Sequence, residues 1–120
     1  MLPQRNRIRK NADFGLVCRQ GRALFCGKLI LKTRRSDLDV VRLGISVGIS
    51  YSPKAVVRNR AKRQIREFFS KNLQKIQPSW DVVVIVQKGW GESGYPLSEL
   101  GECLAKCGLI KNISPTTNIK

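Results

Sequence analysis

A chain of 120 residues with 42% apolar content is long enough for one core and too short for two full domains, and it excludes disorder throughout. Lys and Arg number 23 against 8 Asp and Glu, a formal net charge of +15 that calls for a polyanionic partner. The longest uninterrupted apolar stretch, residues 82–86, is far below the roughly 20 residues that span a bilayer, so no membrane segment is predicted. Residues 1–10 lack the apolar core of a signal peptide, and a cytoplasmic location is expected.

The chain opens on a basic arm, residues 4–10, expected to be mobile. Residues 11–19 read as a short helix, with Phe14, Val17 and Cys18 on one side at spacings of three and four. Residues 24–33 and 40–48, rich in Val, Ile and Leu and separated by the polar stretch 34–39, predict two antiparallel strands joined by a hairpin loop. Ser52 and Pro53 supply a capping hydroxyl and a proline for the first helical position, so a long helix is predicted from there to about Lys75. Residues 81–87 contain an unbroken apolar run suited to a central strand covered on both faces. After a glycine-rich loop, residues 89–96, the spacing of Leu97, Leu100, Leu104 and Cys107 predicts a last helix ending at Gly108. Residues 1–111 are taken as one domain and 112–120 as a flexible tail.

The charge is segregated. Residues 1–75 carry 19 basic and 4 acidic side chains, whereas residues 76–120 carry 4 of each, a distribution that favours nucleic acid over charge kept for solubility. Within the long helix, at about 100° per residue, Val57, Ala61, Ile65, Phe68 and Phe69 form one apolar stripe. Arg58, Lys62, Arg66, Asn59 and Arg63 fall on the other side, with Arg60 on the far flank. Residues 54–75 hold eight basic residues and only Glu67 to oppose them. Like charges at i and i+4, as in Arg58, Lys62 and Arg66, cost about 0.2–0.5 kcal/mol per pair unless phosphates face them. Arg outnumbers Lys four to one between Arg58 and Arg66, and the planar guanidinium binds phosphate through two donors.

Protein-borne hydrolytic chemistry finds little support. There is no histidine, the carboxylates are scattered, and the one close pair, Asp37 and Asp39, lies in a predicted turn. No glycine-rich phosphate loop is present. Cys18, Cys26, Cys103 and Cys107 match no common zinc spacing and are expected to be reduced, small packing residues, a four-cysteine zinc site being the alternative.

The run KAVVRNRAKRQIRE at 54–67 resembles the RNR signature of the bacterial ribonuclease P protein subunit. RNRIRKNADF at 5–14 resembles that family's N-terminal segment, and LGISV at 43–47 its strand before the basic helix. The resemblance implies a single small α/β (α+β) two-layer sandwich in the order α-β-β-β-α-β-α, with a left-handed βαβ crossover. It also implies an endoribonuclease whose catalysis is carried by an RNA subunit and its Mg²⁺, with no catalytic residue and no protein-bound cofactor in this chain. Carried over by position, Lys54, Arg58, Asn59, Arg60, Lys62, Arg63 and Arg66 would contact ribonuclease P RNA. Phe14, Cys18, Lys32 and Lys88 would line a cleft for the 5′ leader of precursor tRNA. Cys18 and Lys32 stand where the family more often has aromatics. Residues 48–54 replace a segment that usually carries paired lysines, with Tyr51 as a candidate stacking ring. No obligate protein partner is implied. The alternatives are a ribosomal or regulatory RNA-binding protein and, with less support, a helix for a DNA major groove.

Overall fold

The computed structural model describes residues 3–91 and 97–109. Its elements in chain order are α1 (Asn11–Gln20), β1 (Arg22–Cys26), β2 (Leu29–Arg35), β3 (Arg42–Ser46), α2 (Ala55–Lys71), β4 (Trp80–Val86) and α3 (Leu97–Lys106), with 3-10 turns at Gln4–Asn6 and Leu73–Lys75. The four strands form one mixed sheet in the order β1-β2-β4-β3. The predicted tail and most of the glycine-rich loop lie outside the described residues.

The strand expectation needs correction on two points. Residues 24–33 are not one strand but part of a hairpin, β1 and β2, turned at Gly27, whose φ of 58° suits a residue without a Cβ. Residues 40–48 do contain a strand, β3, but it does not pair with β2. The more apolar β4 inserts between them, antiparallel to β2 and parallel to β3, and α2 supplies the crossover that a parallel pair requires.

β4 is the central strand predicted, with Val82, Val83 and Val84 fully buried. Alternation then divides the core in two. Val82 and Val84 share a face with Leu29, Leu31 and Leu43, which packs against Ala61, Ile65 and Phe69 of α2 and Leu100 and Leu104 of α3. Val83 lies on the opposite face, toward α1 and its buried Val17.

α1 is fixed to that second face by three contacts. The Phe14 ring lies against Gly44 of β3, where an added Cβ would come within 2.9 Å of two ring carbons. Lys32 Nζ donates to the Cys18 carbonyl at 3.0 Å, placing a cation on the last turn of α1. Arg42 on β3 donates through Nε and Nη2 to the two carboxylate oxygens of its cross-strand neighbour Asp81, at 2.9 and 2.8 Å, and through Nη1 to Asp13 of α1 at 3.3 Å. These carboxylates, Asp81 first, raise Arg42 above the usual guanidinium value.

The N-terminal arm is not loose, contrary to the expectation. Asn6, almost fully buried, donates its amide to the Val41 carbonyl at 2.8 Å, and the Ile8 N–H donates to the Leu43 carbonyl at 2.9 Å, so the arm lies along the outer edge of β3. Nor are all four cysteines reduced: Cys26 of β1 and Cys103 of α3 form a disulfide across 77 residues of sequence, leaving Cys18 and Cys107 as thiols. Burial pushes the Cys107 thiol up, against the opposing charge of Arg22.

Two outcomes follow from these ties. Asp81→Asn leaves the half-buried Arg42 charge with only Asp13 and is expected to lower stability by about 2–3 kcal/mol in chemical denaturation, below the range for a fully buried pair. Thiol labelling of the unfolded, unreduced chain is expected to modify two cysteines and, after reduction, all four. Reduction is expected to lower stability by about 2–4 kcal/mol.

Candidate nucleic-acid interface

The basic helix begins later and presents its charge at a different angle from the one predicted. Its first helical residue is Ala55, because Ser52 and Pro53 form the turn before it, with the Ser52 hydroxyl accepting from the Lys54 N–H at 3.2 Å. The fully buried line runs through Ala61, Ile65 and Phe69, while Phe68 and Val57 are only half-buried. The stripe is thus rotated toward Phe69. Arg58, Lys62 and Arg66 consequently sit on the half-buried flank, and Asn59, Arg60 and Arg63 are the most exposed polar members of the ridge. Among the described residues, none of the five α2 cations from Arg58 to Arg66 forms a salt bridge.

Arg58 has a structural duty as well. Its Nη1 donates to the Ser52 carbonyl at 2.8 Å, bracing the turn that leads into α2. Tyr51 belongs to this brace and not to a stacking surface: its ring packs on the core and its hydroxyl donates to the Trp90 carbonyl. Lys54 is exposed at the start of the ridge.

The docked arm brings a further cation to the helix. Arg7 and Arg66 face the same cleft of about 500 Å³, together with Asn59, Arg60, Arg63 and Glu67. Burial, and then the Arg7 charge, lower Arg66 from the usual guanidinium value. A second concavity lies between the arm and α1, lined by Arg5, Arg7, Arg9, Lys10 and Arg42 with Asp13. Arg7 borders both. The basic surface is therefore continuous from α2 across the β3 edge to the start of α1, a shape suited to a polyanion with phosphates in series. Residue type and spacing give the α2 part of that band, but the arm's contribution depends on Asn6 and Ile8 binding β3, which no local pattern shows.

The predicted cleft residues fall around α1 but are not equally available. Phe14 is half-buried over Gly44, Cys18 is a half-buried thiol, and the Lys32 ammonium is engaged by the Cys18 carbonyl. Lys88 is exposed just after β4. α1 leaves one row of this sheet face less covered: Phe25, Ile30, Ile85 and Ser46 are successive neighbours across β1, β2, β4 and β3. Phe25 is 69% exposed and was not among the residues singled out from sequence, since alternating β1 residues give no sign of which face lacks a covering helix. Among the described residues, no three Cys, Asp or Glu side chains cluster closely enough to hold a metal ion, and no helix is long and apolar enough to cross a membrane.

A mixed four-stranded sheet with helices on both faces, a cationic helix that pairs with no carboxylate among the described residues and a half-open sheet face define a small α+β protein built to bind nucleic acid. The ribonuclease P family model matches residues 2–107, and the chain belongs to the ribonuclease P protein family. Among its relatives, the ribonuclease P protein component of Cyanothece sp. is 35% identical over 92% of this chain and 98% of its own. That of Thermotoga maritima is 37% identical over 74% of this chain and 75% of its own. The Staphylococcus aureus RNase P protein structure superposes with a TM-score of 0.77 at 30% identity, covering 88% of this chain and 97% of that one. The Thermotoga maritima structure gives 0.71 at 32%, covering 91% and 98%. The chain is thus the protein subunit of an endoribonuclease ribonucleoprotein that acts in tRNA processing, with catalysis carried by its RNA partner.

Arg63→Ala removes an exposed cation without touching the core. In titrations of RNA-subunit binding against salt, the slope of log K on log[salt] is expected to become shallower by about 0.7–0.9, one phosphate contact. Arg58→Ala is expected to weaken binding and also to lower the melting temperature, because its Ser52 contact is lost as well.

Proposed function

We propose that the α2 ridge and the N-terminal arm grip ribonuclease P RNA through phosphate contacts, using Lys54, Arg58, Asn59, Arg60, Lys62, Arg63 and Arg66 together with Arg7. In this reading the half-open sheet face beside α1 receives the single-stranded 5′ leader of precursor tRNA, with Phe14, Cys18 and Lys32 along its wall and Lys88 at its end. The complex hydrolyses one phosphodiester bond and so exposes the mature tRNA 5′ end. The observation that carries the reading is the band of guanidinium groups along α2, which meet no carboxylate in an ion pair among the described residues and share a cleft with Arg7.

The protein's contribution is binding and charge compensation. Cations fixed by a folded scaffold lower the repulsion between RNA phosphates that would otherwise be screened by free ions. Mg²⁺ is held by the RNA, whose phosphate oxygens suit a hard cation, while Arg and Lys offer no ligand atoms to it. The setting is the cytoplasm.

Reconstitution of the chain with a bacterial ribonuclease P RNA tests this reading. At low Mg²⁺ the protein is expected to accelerate cleavage of precursor tRNA, and the acceleration is expected to diminish as Mg²⁺ is raised. Cleavage unaffected by the protein at every Mg²⁺ concentration would count against the reading.

A further inference from the structure

Phe25 is the only exposed aromatic side chain among the described residues; Phe14, Tyr51, Phe68 and Trp80 are half-buried, and Phe69 and Trp90 are buried. An edge strand that exposes a phenyl ring usually does so at the risk of self-association, and the neighbouring charge argues against that use here. Lys28, in the turn of the same hairpin, lies with its side chain over Gly89, next to the exposed Lys88, so two ammonium groups stand at this end of the sheet. Glu99 of α3 lies beside Gly27 in the same turn, so this end of the sheet carries two cations against one carboxylate, a net positive charge that two copies meeting through it would bring together.

The ring does not stand alone. It continues the row Ile30, Ile85 and Ser46, and with strands about 4.8 Å apart the row runs roughly 14 Å across the sheet, long enough for two or three unstacked bases. Its support is rigid. Cys26, the next residue, is bonded to Cys103 in the opposite layer, so the edge strand that carries the ring cannot peel away while the disulfide is intact. An aromatic face, an apolar floor and flanking cations together match the requirements of a single-stranded nucleic acid, in which bases stack and phosphates follow a basic track.

We propose that Phe25 is the stacking platform for an unpaired base of the precursor tRNA leader, with Lys28 and Lys88 holding adjacent phosphates. The inference rests on the reading that this sheet face receives the leader, and it names the ring that grips a base there. Phe14, over Gly44, serves mainly to seat α1, so the platform lies on the sheet's far edge and not on the helix.

The test uses the complex reconstituted from the full chain and ribonuclease P RNA, and compares binding of precursor tRNA with binding of the same tRNA lacking its leader. The wild type is expected to bind the leader-bearing form more tightly. Phe25→Ala is expected to shrink that preference by about five- to tenfold, at the lower end of what one base on an aromatic ring contributes. Phe25→Trp is expected to restore the preference, and neither change is expected to alter affinity for the RNA subunit. A full preference in Phe25→Ala overturns the platform and leaves the leader cleft standing. Absence of any preference in the wild type overturns both. A concentration-dependent dimer of the free protein in sedimentation, abolished by Phe25→Ala, would show that a second copy covers the ring and would likewise overturn the platform.

Discussion

Strand β4 is hydrogen-bonded on both edges and buried on both faces from Asp81 to Val84, and that burial decides where everything else goes. A segment buried on both sides needs apolar layers above and below, so α2 and α3 supply one and α1 the other. With apolar surface committed to the middle, no Lys or Arg among the described residues is fully buried, and Arg42 reaches inward only in company with Asp81 and Asp13. The arrangement is two-sided. Where α2 turns away from the core it offers guanidinium groups, and where α1 falls short of covering the sheet it leaves a row of apolar side chains beside lysines.

Held apart from its partner, such a chain carries electrostatic stress. Burial, and then the charge of Arg7, lowers Arg66 from the usual guanidinium value, and no acidic residue among those described closes an ion pair with the ridge. RNA phosphates at this surface, as proposed, would relieve this stress, with the release of their counterions driving association. The same balance explains the preference for Arg over Lys along α2, since a bidentate donor keeps its geometry where side chains are packed closely.

Much of the fold was legible from patterns within single elements. The apolar run of β4, the periodicity of α1 and α3 and the cationic character of α2 all appear in the described structure. What the pattern of residues could not supply were the long-range pairings. The polar stretch 34–39 reads as a hairpin loop joining residues 24–33 to 40–48, yet β4, longer than β3 and more apolar, takes the place beside β2. The arm reads as mobile because Gln, Arg and Asn dominate it, and only the β3 edge reveals acceptors for Asn6 and Ile8. Cys26 and Cys103 are similarly remote, joined only when β1 and α3 are stacked. At the candidate site, the ridge residues were found from charge and spacing, though the rotation of the buried line toward Phe69 moved Arg58 from open ridge to brace. Phe25 was missed since exposure is a property of the assembled layers.

Gly44 shows how far such dependence reaches. It contributes no side chain to any surface, yet its bare backbone is what lets the Phe14 ring come close and α1 rest low on the sheet. The height of the helix above the strands is thus determined from beneath, by an absence. One added methyl group at this position would lift α1 and deepen the sheet face beside it, so the shape of that face can change without altering any residue exposed on it.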